Sequence, residues 1–114
     1  MTYSSAIFKT KTQSLELAQI NKYKNLAELI DVKPGDKILE VGCGWGGFSE
    51  FLATTYKAKV TAITISKNQF LAVKSKIEKK HLKEQVDVKL IDYRDLNGKF
   101  DKIVSIEMFE AVGV

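Results

Sequence analysis

Apolar and polar residues follow two different periods along this chain. The run from residue 14 to residue 30 repeats apolar positions at helical spacing, and Thr12 or Ser14 is placed to cap its start. Four short apolar runs with the length of strands follow it, at residues 37–41, 59–64, 86–91 and 101–106. The pattern therefore predicts one helix ahead of four strands.

The segments that join the first three of these strands have the pattern of helices that pack on a sheet. The first is predicted from about residue 45 to residue 56, with Phe48 and Leu52 toward the sheet. The second follows Ser66-Lys67-Asn68-Gln69, which has the spacing of a capping box, in which a hydroxyl and a later amide satisfy N–H groups of the helix start. It is expected to run to about His81 and to bury Phe70, Val73 and Ile77. Strands that alternate with helices predict an α/β fold with a parallel sheet.

A glycine-rich loop separates the first strand from the helix after it. It reads Glu40-Val41-Gly42-Cys43-Gly44-Trp45-Gly46-Gly47, and glycine is needed because the backbone must turn tightly against a ligand with no Cβ in the way. The glycines also fit the dinucleotide pattern G-x-G-x-x-G, but the end of the second strand, Ala62-Ile63-Thr64-Ile65-Ser66, lacks the acid that would hold a dinucleotide ribose. Glu40, two residues before the first glycine, is typical of a fold that binds S-adenosylmethionine (SAM). The loop favours SAM over NAD and predicts a Rossmann-like SAM-dependent methyltransferase fold with strand order 3-2-1-4.

Length and composition fit one domain over residues 1–114, in which residues 1–30 form an N-terminal helical cap segment. The chain has 114 residues, of which 45% are hydrophobic and 28% charged, as in ordinary globular proteins. This length is short for a complete doubly wound sheet, so we expect a truncated sheet that is part of something larger. No signal peptide or long apolar run is found, and a cytoplasmic location, with peripheral association at the inner membrane face, is the expectation. A single cysteine, Cys43, excludes an internal disulfide, and because His81 is the one histidine, no metal site is expected.

The net charge of +4 comes with a cluster of lysines in and after the second predicted sheet-packing helix. Such a cluster could attract anionic lipid headgroups or nucleic acid, but a solvated helix face is the interpretation we prefer. No aromatic residues interleave the lysines, so a nucleic-acid groove is not expected. The cluster consists of Lys74, Lys76, Lys79, Lys80 and Lys83.

Five blocks of the sequence resemble the cyclopropane-fatty-acyl-phospholipid synthase family, which also contains the mycolic acid methyltransferases. The blocks occur in the family's order and span nearly the whole chain. The part of the enzyme that they resemble is its N-terminal, cofactor-binding part. They are Tyr3-Ser4-Ser5-Ala6-Ile7-Phe8, the loop from Glu40 to Gly47, Thr64-Ile65-Ser66-Lys67-Asn68-Gln69, Asp92-Tyr93-Arg94-Asp95-Leu96 and Ser105-Ile106-Glu107-Met108-Phe109-Glu110-Ala111-Val112-Gly113.

The resemblance implies a set of cofactor-binding residues. They are Tyr3 and Ser4 near the methionine end of SAM, Gly42 and Gly44 along the cofactor, Thr64 and Gln69 at the ribose, and Asp92 and Tyr93 at the adenine, with Glu40 and Ile65 also assigned to the cofactor. Hydroxyl and amide groups can bond to ribose hydroxyls, which accounts for the missing acid. The residues alone leave another interpretation open, in which Thr64 and Gln69 are only a strand end and a helix cap and Asp92 only closes a turn.

The resemblance also implies the chemistry, which is transfer of a methyl or methylene group to the double bond of unsaturated phospholipid acyl chains at the membrane surface. The family is thought to use a bound bicarbonate ion as the base. Glu110 and the backbone of Ile106 match the residues that hold it, and Ser5 stands where many members have a cysteine. The family's other bicarbonate ligands lie downstream of this segment, so we expect this chain alone to be inactive. Another small-molecule methyltransferase and a non-catalytic SAM-binding module remain alternatives.

The fourth predicted strand suggests self-association. It would be central in a complete sheet, but here it would lie at an edge with unpaired backbone groups and the apolar residues Ile103, Val104 and Ile106. Pairing with a second copy would cover that edge. We therefore expect a homo-oligomer.

Overall fold

The structure of the protein is a computed structural model that describes the backbone of residues 8–105 and the side chains of residues 17–105. Within this range lie three α-helices and four β-strands, which we number separately in chain order. Their bounds are α1 Phe8–Leu29, β1 Lys37–Val41, α2 Gly47–Tyr56, β2 Lys59–Thr64, α3 Lys67–Lys79, β3 Val86–Leu90 and β4 Lys102–Val104. A short 3₁₀ turn, Tyr93–Asp95, lies between β3 and β4. Helix α1 belongs to a separate unit of the chain, which ends at Asp31.

All four strands are parallel, and their order in the sheet is β3-β2-β1-β4. The predicted fold class and strand order are therefore confirmed. Ile38 of β1 lies beside Val60 of β2, which in turn lies beside Val86 of β3. These β-branched residues fit a sheet whose central strands are covered, because such side chains pack well on a pleated surface.

Helices α2 and α3 contribute the side chains that were predicted to face the sheet. Phe48 and Leu52 of α2 and Val73 and Ile77 of α3 are all buried. Phe70 differs from the prediction, because its ring is only half-buried and the ammonium of Lys74 lies 5.6 Å from the ring centroid. A lysine with an apolar stem can cover an aromatic ring in this way while its charge stays in water.

The start of α1 differs most from the prediction. The helix begins at Phe8, so Thr12 and Ser14 lie inside it and do not cap it. No glycine or proline occurs between residues 8 and 14, so nothing in the backbone stops the helix from extending. The end of α3 at Lys79 is two residues earlier than expected, because His81 takes a left-handed φ of 58° that ends the helix.

Two of the clustered lysines form ion pairs across the helices. The Nζ atoms of Lys76 and Lys80 lie 3.5 Å and 2.5 Å from the carboxylate oxygens of Glu50, which belongs to α2. Part of the positive charge on α3 is therefore neutralised within the fold. Among residues 8–105, no helix has the length and apolar character needed to cross a membrane.

Asp36 immediately precedes β1 and lies where that strand begins. The Lys102 ammonium donates to Asp36 Oδ2 at 2.6 Å, and the backbone N–H of Lys33 donates to the same oxygen at 2.8 Å. The hydrogen bond from Lys102 is the largest cause of a lowered Asp36 pKa, and the bond from Lys33 adds to it. Since Lys102 begins β4, this ion pair joins the outer strand to the start of β1.

Replacing Asp36 by Asn should lower the free energy of unfolding by about 1 kcal/mol at pH 7, because Lys102 loses its charged acceptor. The folded-state pKa of Asp36 is lowered, so the carboxylate stabilises the fold above the ordinary Asp pKa of about 3.9. This stabilisation is lost as the pH falls through the lower folded value. Urea denaturation of the wild type and of Asp36→Asn, at a series of pH values from 7 down to about 3, measures the difference in their free energies of unfolding.

The matched control is Asp87→Asn, which removes an exposed pair whose atoms lie 3.8 Å apart, Lys89 Nζ and Asp87 Oδ2. It should change the free energy of unfolding by less than about 0.5 kcal/mol. Equal losses for the two variants at pH 7 would contradict the role given to Asp36.

Candidate cofactor site

The carboxyl ends of β1 and β2 and the segment after β3 surround a cavity of about 290 Å³. Ligands of open α/β sheets bind at this edge, where the loops after the strands leave a crevice. Ten residues line the cavity, namely Val41, Gly42, Ile63, Thr64, Ile65, Ser66, Gln69, Ile91, Asp92 and Tyr93.

The glycine loop is held against the end of β2. Gly42, Gly44 and Gly46 have φ values of 72°, 57° and 86°, in the left-handed region that other residues rarely adopt. The backbone N–H groups of Gly42 and Cys43 both donate to the Ile63 carbonyl oxygen, each at an N···O distance of 3.0 Å. These bonds fix the loop beside β2, and Gly42 itself lines the cavity.

Gly46 lets α2 begin in close contact with α3. It is the N-cap residue of α2, and a Cβ placed on it would lie 3.1 Å and 3.2 Å from the two methyl carbons of Val73. Side chains in a packed core seldom approach so closely, and Val73 is itself buried. Glycine is therefore required here for both its φ and its lack of a side chain.

Glu40 joins the two ends of the glycine loop. Its side chain is 0% exposed, and its Oε1 accepts a hydrogen bond from the buried Ser49 hydroxyl of α2. A buried carboxyl group is tolerated only where such partners satisfy it. The residue therefore ties β1 to α2 and is not among those that line the cavity.

Thr64, Ser66 and Gln69 form a connected polar wall. The Thr64 hydroxyl donates to Gln69 Oε1 at 3.1 Å and accepts from the backbone N–H of Ser66, also at 3.1 Å. The Ser66 hydroxyl caps α3 by accepting from the backbone N–H of Gln69 at 3.2 Å. The predicted capping box is thus half formed, because Thr64 already satisfies the Ser66 N–H and the Gln69 amide turns to Thr64 instead.

Asp92 also lines the cavity, at the start of the 3₁₀ turn. Its carboxylate accepts from the backbone N–H of Arg94 at 2.9 Å and from the Arg94 guanidinium at 3.2 Å and 3.0 Å. The side-chain bonds from Arg94, followed by the backbone bond, lower the pKa of Asp92 to about 2. The cavity therefore has a carboxylate on one side that stays ionised at neutral pH.

Two exposed apolar side chains complete the lining. Ile65 follows β2 and is 80% exposed, and Tyr93 follows β3 and is 58% exposed. Large apolar side chains this exposed at the lining of a cavity are typical of a ligand site. An aromatic face and an aliphatic side chain next to an acceptor suit a flat heterocycle with an amino group.

The cavity brings together six of the predicted cofactor residues, Gly42, Thr64, Ile65, Gln69, Asp92 and Tyr93. Glu40 and Gly44 are close to Gly42 in the sequence and are buried, but they do not line the cavity. The predicted residues Tyr3, Ser4, Ser5, Ile106 and Glu110 lie outside the described residues.

Sequence reasoning missed Val41, Ile63, Ser66 and Ile91 as lining residues, and it missed the hydrogen bonds from Arg94 to Asp92. Each of the four missed lining residues is next in the sequence to a predicted one. Their position at the ends of the predicted strands was the signal that could have identified them. The spacing of Asp92 and Arg94, two residues apart in a turn, was the signal for their bond.

The carboxyl edge of a parallel sheet, where this cavity lies, is the place at which open α/β proteins bind nucleotide-like cofactors. Residues 1–114 match the family model described as mycolic acid cyclopropane synthetase. The chain belongs to this family, which confirms the resemblance found in the five sequence blocks.

Curated relatives agree with this assignment. A probable fatty acid methyltransferase of Pseudomonas putida is 44% identical over 99% of this chain. The cyclopropane-fatty-acyl-phospholipid synthase of Escherichia coli K12 is 42% identical over 99% of it, and a sphingolipid C9-methyltransferase of Candida albicans is 37% identical over 100%. The chain spans 29%, 28% and 24% of the lengths of these three proteins.

Solved structures show the same fold. The cyclopropane synthase MmaA2 from Mycobacterium tuberculosis superposes with a TM-score of 0.77 at 33% identity, over 92% of this chain and 37% of the other. The mycolic acid cyclopropane synthase CmaA1, solved with S-adenosylhomocysteine (SAH), gives a TM-score of 0.74 at 31% identity, over 97% and 42%. The fold is thus the Rossmann-like fold of SAM-dependent methyltransferases.

Replacing Gly46 by Ala should lower the free energy of unfolding by roughly 2–4 kcal/mol, because a strained left-handed φ and a clash with Val73 act together. Gly35→Ala is a matched control, since Gly35 has a φ of 84° but no atom within 4 Å of the added carbon. It should cost only the strain, about 1–2 kcal/mol. Chemical denaturation measures both, and equal losses would show that contact with Val73 has no part.

Proposed function

We propose that this protein provides the SAM-binding part of a methyltransferase that acts on the double bonds of unsaturated lipid acyl chains. The observation that supports it most is the cavity that combines Gly42, the Thr64–Gln69 pair and Asp92 at the carboxyl edge of the sheet. The family of the chain and the SAH bound to its structural neighbour CmaA1 point to the same cofactor.

The lining suits the adenosine portion of SAM. A cavity of about 290 Å³ is at the lower limit of ordinary small-molecule sites, which favours one nucleoside over a whole dinucleotide. The hydroxyl of Thr64 and the amide of Gln69 would bond to the ribose hydroxyls. Asp92 would accept from the adenine amino group, while Ile65 and Tyr93 would contact its faces.

The same lining argues against a nicotinamide cofactor. A dinucleotide site holds the ribose with an acid near the end of the second strand, and residues 65 and 66 at that position are isoleucine and serine. The Thr64–Gln69 pair is neutral, so it cannot replace that carboxylate as a charged acceptor.

Bound SAM supplies an electrophilic methyl group on a positively charged sulfur. The residues described here would bind and orient its nucleoside, so that the methyl group always faces the same side of the site. The assignments of Tyr3 and Ser4 to the methionine end, and of Glu110, Ser5 and the Ile106 backbone to bicarbonate, lie outside the described residues and stay predictions.

The proposed substrate is an unsaturated lipid chain presented at a membrane surface. Two relatives are named for fatty acids and fatty-acyl phospholipids and one for sphingolipids, so the headgroup is left open. An alkylated alkene gains the mass of one methylene group. A methylated amine or hydroxyl would instead indicate another small-molecule methyltransferase, and SAM binding without any product would indicate a non-catalytic module.

Calorimetry with SAH tests the cofactor assignment, with NAD as the comparison ligand. We expect SAH to bind and NAD to give no measurable heat. Asp92→Asn should weaken SAH binding by about tenfold, because the adenine amino group loses a charged acceptor. Asp95→Asn lies in the same turn but outside the cavity, so it should bind SAH like the wild type. Tight NAD binding without SAH binding would overturn the assignment.

Mass spectrometry of lipids tests the reaction. The protein encoded by the complete open reading frame, incubated with SAM and vesicles of unsaturated phospholipid, should add one methylene per modified chain and remove the alkene. The 114-residue chain is expected to bind SAM without forming this product. Product from the short chain alone would contradict the expected division between cofactor binding and catalysis.

Self-association through β4 is a separate proposal. This strand is the outer one in the described part of the sheet, and its Ile103 is 50% exposed. Light scattering of the chain at micromolar concentration should therefore give the mass of a dimer or a larger assembly. Ile103→Lys should shift it toward the monomer, and a strictly monomeric wild type would refute the proposal.

A further inference from the structure

Arg94 holds the Asp92 carboxylate at both oxygens. Its Nε donates to Oδ1 at 3.2 Å and its Nη2 donates to Oδ2 at 3.0 Å, while its own backbone N–H donates to Oδ1 at 2.9 Å. The arginine side chain is 79% exposed and is not among the residues that line the cavity. It therefore approaches Asp92 from outside the cavity that Asp92 lines.

This two-point contact limits what Asp92 can bind. A carboxylate offers about four acceptor positions, and the three bonds from Arg94 occupy two on Oδ1 and one on Oδ2. One acceptor position remains, on Oδ2. The planar guanidinium also fixes the plane of the carboxylate, which an exposed aspartate would otherwise leave free to rotate.

We propose that Arg94 is a positioning residue that presents the remaining Asp92 acceptor to a single N–H of a purine 6-amino group. This proposal rests on the proposed function, since it requires an adenosine ligand in the cavity. A 6-keto purine such as hypoxanthine carries an oxygen where adenine carries its amino group. Two oxygens with lone pairs repel each other, so a fixed carboxylate rejects the keto base more strongly than a rotating one.

A purely structural ion pair has different consequences. Exposed ion pairs contribute little to folding, so the loss of Arg94 should leave the melting temperature nearly unchanged. If Arg94 acted only on the shape of the turn, its loss would weaken adenine and hypoxanthine ligands to the same extent. The ratio of the two affinities therefore separates a positioning role from a structural one.

The experiment compares the wild type with Arg94→Gln, Arg94→Lys and the control Lys89→Gln. Lys89 forms an exposed pair with Asp87 on β3, and neither residue lines the cavity. Calorimetry measures the dissociation constants of SAH and of its deaminated analogue, S-inosylhomocysteine. Thermal melts of each protein without ligand report on the fold.

We expect Arg94→Gln to weaken SAH binding by about fivefold to tenfold and to tighten binding of the inosyl analogue slightly, by up to about twofold, because the freed carboxylate can turn away from the keto oxygen. The preference for adenine should fall accordingly, with the melting temperature unchanged. Arg94→Lys, which keeps the charge but lacks the planar fork, should fall between the wild type and Arg94→Gln. Lys89→Gln should match the wild type in both affinities.

Two results would overturn the positioning role while leaving the proposed function intact. One is wild-type SAH affinity and base preference in Arg94→Gln, and the other is a parallel loss for both ligands. A wild-type protein that binds neither ligand would overturn the positioning role and the proposed function together.

Discussion

The structure depends on one backbone constraint, which is the turn between β1 and α2. Three glycines in this turn take left-handed φ values, and two consecutive N–H groups bond to the carbonyl of Ile63. These bonds set the distance between the end of β1 and the end of β2. Gly46 then lets α2 begin against Val73, which places α2 beside α3. The turn thus lies at the carboxyl edge of the sheet, where Gly42 and the residues at the end of β2 line the cavity.

The constraint separates rigid from adaptable parts of the site. Glu40, Ser49 and Ile63 are almost fully buried and anchor the loop from within. Ile65 and Tyr93, which line the cavity where adenine would lie, are largely exposed, as is Arg94, which contacts Asp92 from outside the cavity. Because the residues that hold the loop are buried and the residues that would contact the ligand are exposed, a ligand can be oriented without rearrangement of the core. This arrangement suits a protein that must hold a reactive group in one direction.

The fold was largely predictable from the sequence, because strand and helix periods are local properties. The bounds of β1 and β2 agree with the apolar runs, and the buried residues of α2 and α3 follow from their spacing. The start of α1 was not predictable from Thr12 or Ser14, since residues that cap helices are also tolerated within them. Phe70 was predicted to be buried against the sheet. It is only half-buried, and Lys74, one turn later, lies over its ring.

The sequence predicted which residues line the cavity better than it predicted the hydrogen bonds that their side chains form. The glycine loop pointed to Gly42, whereas Thr64, Gln69 and Asp92 were assigned through the family resemblance, and all four line the cavity. The bond of Gln69 to Thr64 depends on which N–H groups are already satisfied, and the sequence does not contain that information. The spacing of Asp92 and Arg94 allowed a bond within the turn, but it did not show that the guanidinium would contact both carboxylate oxygens.

The central claim is that this cavity binds the adenosine of SAM, and a crystal structure of the protein with SAH tests it most directly. The account predicts adenine between Ile65 and Tyr93, its amino group about 3 Å from an Asp92 oxygen, and ribose hydroxyls against Thr64 and Gln69. Electron density for SAH elsewhere, with these side chains unchanged and the cavity empty of ligand, would contradict it.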